Sequence, residues 1–382
     1  MSSHPTIVTI HLDRLSRNLR LLQSLVGKCA VWPAIKANAY GHDAVIVARH
    51  LVDLGCGTLC VAHASEAEVL IRSGVAARFV LLSAGLSDPA DMIVEYGLEP
   101  VVSELAIARE IARVAVARSR QVSIHVKVDT GMGRVGIHPD AAASFVETCQ
   151  ALPGLRVRGV MSHFPRADEA DKGYSKEQTE RFRRVVAGLN RQAIDYVHMA
   201  NSAAIFDLPE SHFDAVRPGI ALYGLKPSLT MSNPRVEALQ PVLEWKTRIS
   251  FLKTVPAGTG LSYGHAFPTA RESLIATIPC GYGDGLSRAF SNNLEVLVAG
   301  VRCPLVGRVT MDQSLIDLTD VKGRVELGDE VVIIGRQGDE EVTADELAAR
   351  LGTINYEVVT TISARVPRLV AASDGSAQAI RR

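Results

Sequence analysis

Through the first two-thirds of the chain, short apolar and β-branched runs alternate with longer stretches whose apolar positions recur every three or four residues. The first pattern predicts buried strands and the second amphipathic helices. Strands are expected near 30–35, 58–61, 79–82, 99–102, 122–128, 156–161, 196–199 and 215–217. Segments 43–54, 64–73, 103–117 and 174–190 carry helical spacing between them. Gly55 and Gly74 follow two of these and read as helix C-terminal signals. Eight strands alternating with helices make a parallel sheet, and a count of eight predicts a closed (β/α)8 barrel. An open doubly wound sheet is the alternative, but no Gly-x-Gly-x-x-Gly turn follows the first strand.

After about Pro227 the pattern changes. Helical spacing becomes rare, and runs at 244–254, 274–278, 294–298, 314–317 and 330–334 are separated by Gly, Pro and Asp turns. This predicts a β-rich second domain with one short helix over 343–351. Segment 226–234 holds two prolines and marks the boundary. The expected fold class is therefore α/β: a barrel over 11–230, then a mainly β domain over 231–382. Segment 12–25 has helical spacing, and the lone strand within 5–10 is free to join the second domain's sheet.

Composition narrows the classes. A chain of 382 residues suits two domains, and 47% hydrophobic with 21% charged residues is usual for a globular protein. The 41 basic and 41 acidic residues cancel, which argues against a nucleic-acid-binding surface. No apolar segment is long enough to span a membrane, and the N-terminus lacks the basic start and apolar core of a signal peptide. The six cysteines are scattered without a Cys-x-x-Cys pair. They read as buried thiols in a reducing cytoplasm, with no disulfide framework and no metal site.

In such barrels the chemistry lies at the carboxyl ends of the strands. Here the first strand ends at Lys36, the fifth leads through Lys127 to Arg134, the sixth ends at His163, the seventh at His198 with Asn201-Ser202, and the eighth at Arg217 with Gly219-Ile220. This set favours an anionic ligand. A lysine beside apolar walls is pushed toward its neutral, nucleophilic form, the kind that forms a Schiff base with an aldehyde cofactor. Turns after the last two strands commonly bind phosphate through backbone N–H groups and a hydroxyl. An arginine facing a pyridine nitrogen only donates, and so keeps that nitrogen unprotonated.

Ala34-Ile35-Lys36-Ala37-Asn38-Ala39-Tyr40-Gly41-His42 resembles the lysine motif of the alanine racemases, which bind pyridoxal 5'-phosphate. Val216-Arg217-Pro218-Gly219-Ile220-Ala221-Leu222-Tyr223-Gly224 is similar to their arginine motif. Gly260-Leu261-Ser262-Tyr263-Gly264, Met311-Asp312 and Ile354-Asn355-Tyr356-Glu357 extend the likeness over nearly the whole chain. The resemblance implies a cytoplasmic homodimer that interconverts L- and D-alanine, supplying D-alanine for peptidoglycan or L-alanine for catabolism. It implies two bases, Lys36 and Tyr263, the latter from the partner subunit. It places the cofactor among Lys36, Tyr40, His163, Asn201, Ser202, Arg217, Gly219, Ile220 and Tyr356. The substrate carboxylate falls to Arg134 and the partner's copy of Met311-Asp312. Lys127, carbamylated in similar stretches, supports Arg134; His198 orients Arg217; Tyr282 lines the mouth. Asp43, Gly283 and Phe164-Pro165 depart from the common pattern near that mouth. The alternatives are a racemase of serine or a basic amino acid, a decarboxylase on the same plan, and a non-catalytic protein of cofactor homeostasis.

Overall fold

The computed structural model describes residues 4–82, 85, 88–371 and 377–378. The chain divides into two compact units: Asp13–Gln240, and Met1–Leu12 together with Pro241–Arg382. Segment 231–240 stays with the first unit. Asn18 Nδ2 donates to the Gln240 carbonyl at 2.8 Å, and the Gln240 N–H donates back to Asn18 Oδ1 at 2.9 Å.

After the N-terminal strand β1 (Ile7–Ile10), the first unit is built on β2 (Ala30–Val31), β3 (Thr58–Val61), β4 (Arg78–Leu81), β5 (Glu99–Val102), β6 (Val122–Lys127), β7 (Leu155–Met161), β8 (Tyr196–His198) and β9 (Ala215–Val216). Every paired neighbour is parallel, in the order β2-β9-β8-β7-β6-β5-β4-β3. The ring closes between its ends. Ile35 N donates to Cys60 O and Cys60 N to Pro33 O, both at 2.8 Å. The expected strand 30–35 keeps a regular ladder only at its first two residues, because Pro33 has no N–H to give.

The helices follow their apolar spacing. Leu12–Val26 buries Leu15, Leu19, Leu22 and Val26, one stripe of the helix. Segment 174–190 is helical over Gly173–Ala187.

The second unit is a mixed, mainly antiparallel sheet of eleven strands. β1 belongs to it, antiparallel to Leu243–Arg248 and parallel to Arg368–Ala371. The expected run 244–254 is two strands. Ile249 N bonds to Asp329 O while Ser250 N bonds to Thr277 O, so the backbone changes partners there. Val301–Val306 was not anticipated, because Arg302 and Pro304 interrupt its apolar pattern. The helix Ala344–Leu351 is capped by Thr343, whose side chain accepts from Glu346 N. A second, shorter helix, Asn355–Thr360, follows.

Candidate active site

Lys36 opens the most strained stretch of the barrel unit. Ala37, Asn38, Ala39 and Tyr40 all have φ between 52° and 54°, a left-handed turn made without glycine. Such a conformation costs roughly 1–2 kcal/mol per residue. The turn is nevertheless hydrogen-bonded: Ala39 N donates to Ile35 O at 2.8 Å and Gly41 N to Ala37 O at 3.0 Å. Side chains brace it. Glu66 accepts from Ala37 N and from Ala62 N, each at 2.7 Å. Asn38 Oδ1 accepts from Ala44 N at 2.8 Å. Glu66 was not singled out in the sequence; its only signal there is the third position of a helix N-terminus.

The turn carries the Tyr40 hydroxyl to Gly219. A Cβ on Gly219 would lie 2.4 Å from that oxygen, so only glycine leaves the phenol its place. Burial holds the Tyr40 phenol well above its ordinary range, which keeps it a hydrogen-bond donor. Around it, Ser202 Oγ accepts from Gly219 N at 2.8 Å and from Ala221 N at 3.3 Å. Asn201 Oδ1 accepts from Ala204 N at 3.1 Å, and Ile220 is fully buried at the start of a 3-10 turn. The loops after β8 and β9 are thus one cradle, with hydroxyls and amides gathered at its floor.

Arg217 is buried. Its Nη1 donates to His198 Nδ1 at 2.7 Å. Its Nη2 donates to Ser162 O at 3.0 Å and Met199 O at 3.1 Å, and reaches His163 Nδ1 at 3.3 Å. Among the described residues its Nε hydrogen meets no acceptor. Burial lowers the guanidinium to about 10, still charged at neutral pH. His163 is held neutral by burial and by the surrounding cations, Arg217 foremost.

Lys36 lies below its ordinary range because of burial first and Arg134 second, with Glu66 opposing. Lys127 is pushed to about 8, by burial and then by Arg134 and Arg217. Arg134 and Arg217 thus lower both lysines, and the local field favours an anion. Arg134 sits exposed on a loop that Asp129 organises: one carboxylate accepts from Gly131, Met132 and Gly133 N–H groups at 2.8–3.1 Å. The signal for Asp129 was legible as an aspartate followed by Thr-Gly-x-Gly, an Asx-turn composition.

In the β unit, Tyr263 is 72% exposed on a 3-10 turn entered through Ser262 at φ 62°. Arg308 Nε donates to the Tyr263 carbonyl at 3.1 Å, and Ser262 Oγ donates to Arg308 O at 2.8 Å. Tyr282 and Met311 are also exposed, on two loops tied by Tyr282 N to Thr310 O and Gly283 N to Met311 O. Arg365 pairs with buried Asp284 at 2.7 Å and with Asp312 at 3.0 Å. A Cβ on Gly283 would lie 2.7 Å from Arg365 Nη2, so this glycine makes room for the arginine that holds Asp312. Arg365 also escaped the sequence reading. Tyr356 lies half-buried in the first turn of Asn355–Thr360.

Comparison with known proteins agrees along the chain. Family models of the alanine racemase N-terminal and C-terminal domains match residues 10–227 and 242–370. Alanine racemases of Halothermothrix orenii and Clostridium novyi are 43% and 40% identical over 369 and 370 residues, covering 96% of this chain and 97% and 95% of theirs. The structure of a Clostridium difficile alanine racemase superposes with a TM-score of 0.92 at 34% identity, covering 97% of this chain and 96% of that one. The Bacillus anthracis enzyme with bound L-Ala-P gives 0.90 at 37% identity, covering 99% and 97%.

Proposed function

The chain belongs to the alanine racemase family, and from that premise we propose that it interconverts L- and D-alanine with pyridoxal 5'-phosphate and two opposed bases. The observation that carries this reading is the arrangement around Gly219, where a Cβ would fill the space taken by Tyr40 and where Ser202, Gly219 and Ala221 meet. With its oxygen accepting from the Gly219 and Ala221 N–H groups, Ser202 has its own hydroxyl hydrogen to give a phosphate, beside the Tyr40 hydroxyl. Lys36, at partly lowered basicity, is the amine for the aldehyde. When bound, the cofactor withdraws electrons from the substrate's Cα–H bond.

The protein's own groups do the rest. Arg217 presents N–H donors to the ring nitrogen and cannot accept a proton from it. His163, held neutral, packs at the ring without adding charge. Arg134 binds the substrate carboxylate, supported by Lys127. The Lys36 amine takes or gives the Cα proton on one face. The Tyr263 hydroxyl of a second copy of the chain serves the other, with that copy's Met311-Asp312 at the carboxylate and Tyr282 lining the mouth. Tyr40 and Tyr356 donate to the phosphate. Arg217 also separates this reading from decarboxylation on the same plan, which calls for an acidic partner on the ring nitrogen.

The test is a racemisation assay on the purified protein with added pyridoxal 5'-phosphate and a panel of L-amino acids. Conversion of L-alanine fastest of the panel is expected, with cytoplasmic expression and a homodimer as its working form. Lys36→Ala should abolish both conversion and the visible absorption band of the bound cofactor. Retention of that band by the variant, or release of CO2 from any substrate, overturns the reading.

A further inference from the structure

Arg217 is the end of a buried polar chain. His198 Nε2 and His125 Nδ1 are 2.9 Å apart, and His125 Nε2 lies 3.1 Å from Glu99 Oε2. The other Glu99 oxygen accepts from Arg158 Nη1. Arg158 continues to Asp195 at 3.3 Å, and Asp195 to the half-exposed Arg156 at 2.7 Å. Glu99, His125, Arg158 and His198 come from four adjacent strands, β5 to β8.

The backbone is adapted to this chain. The pairing of β6 with β7 slips, so that Ile124 faces Val157 but His125 faces Gly159, and Arg158 is the extra residue of a bulge. A Cβ on Gly159 would lie 2.0 Å from His125 Nδ1. Any other residue there would deny His125 its contact with His198. Trp32 packs edge-on against both rings.

The proton positions follow from the donors. A guanidinium only donates, so His198 Nδ1, which accepts from Arg217 at 2.7 Å, carries no hydrogen. His198 then holds its one proton on Nε2 and donates to His125 Nδ1. His125 holds its proton on Nε2 and donates to Glu99. Glu99 receives from both sides, as an ionised carboxylate does. A proton added to either Nδ1 would set two N–H groups face to face. Burial and Arg217 also disfavour a charged His198, and burial disfavours a charged His125.

We propose that Glu99 and His125 are positioning residues for Arg217: the carboxylate, acting through two histidines of fixed tautomer, aims the guanidinium and keeps His198 as its acceptor. This rests on the reading of Arg217 as the partner of the cofactor's ring nitrogen. Nitrogen NMR of the whole holoenzyme, labelled at histidine and assigned with single His→Gln variants, should show unprotonated Nδ1 at both His125 and His198. A proton on either Nδ1 overturns the relay, and this measurement holds even if no Glu99 variant folds. The double variant E99Q/R158M keeps an acceptor for His125 and removes both charges together, so none is stranded. It should lower kcat about tenfold and weaken pyridoxal 5'-phosphate binding by a similar factor, with KM for alanine within about twofold and a partial proton on His198 Nδ1. A double variant that merely melts earlier, with tautomers, cofactor affinity and kcat unchanged, overturns the positioning role. Racemisation by the unaltered protein is measured alongside. Its absence counts against the proposed function, while the tautomers still decide the relay.

Discussion

Lys127 is a cationic side chain held in a buried setting among other cations. The residue is 3% exposed, and its amine loses its proton at about 8 in the fold and at about 10.5 when unfolded. Between those values the unfolded chain binds more protons, so Lys127 makes stability rise with pH across that window. In CO2-free buffer the urea midpoint of the protein should therefore climb from pH 8 to 10 relative to that of Lys127→Met. Parallel curves would refute the buried-cation account. The neutral amine is also the form that adds CO2. With labelled bicarbonate at pH 8.5, a carbamate carbon resonance absent from Lys127→Met is expected, and no resonance would leave Arg134 without its proposed support. Gly219 makes a second residue-scale prediction. Gly219→Ala drives a methyl into Tyr40 and should destabilise by about 1–3 kcal/mol in thermal melts. Adding Tyr40→Phe should recover part of that loss, because the nearest clashing atom is the hydroxyl. Equal losses in both backgrounds would place the strain elsewhere.

At the scale of elements, the left-handed turn at 37–40 decides where Lys36 and Tyr40 point. Its mostly small residues follow the expected strand over 30–35 and suit a turn, but no glycine announces positive φ before Gly41. Local backbone hydrogen bonds close the turn, and Asn38 within it and Glu66, from the helix Ala64–Arg72, brace it. Ala37 is exposed, so Ala37→Gly should remove left-handed strain without loss of packing and stabilise by about 1 kcal/mol, less some unfolded-state entropy. In a right-handed helix the same change would destabilise by a similar amount, and that outcome in a melt would contradict the turn. The bulge in β7 is the other such element. The valines and the glycine of its sequence are legible as strand, but the slip that frees Arg158 to meet Glu99 is visible only once β6 is beside it.

At the scale of the whole molecule, the barrel unit gathers the lysine, the arginines and the cradle, while the β unit displays Tyr263, Tyr282 and Met311 to solvent. Large exposed side chains on one loop cluster suit an interface between two copies. If Tyr263 of one copy serves Lys36 of the other, inactive Lys36→Ala and inactive Tyr263→Phe dimers, unfolded and refolded together, should regain about one quarter of the unaltered activity. That figure follows because half the dimers are then hybrid, each with one intact site. A mixture that stays inactive, with hybrids demonstrated by mass, would assign both bases to one chain.

The periodicity of apolar positions determined the barrel, its eight strands and the β-rich second unit, because alternation and helical spacing record burial residue by residue. The motifs around Lys36, Arg217 and Tyr263 determined the family, since they are contiguous and ordered. What only the tertiary structure decided is how those residues are held. Glu66, Glu99, His125 and Arg365 act across strands and loops. A single carboxylate or histidine on an apolar strand carries no local mark of the partner it will meet. Ring closure beside Pro33, the left-handed turn, the slip at Arg158 and the room left by Gly159, Gly219 and Gly283 depend on which atoms arrive from elsewhere in the chain. Long-range packing sets them because each is costly on its own and becomes favourable only when its partner fills the space.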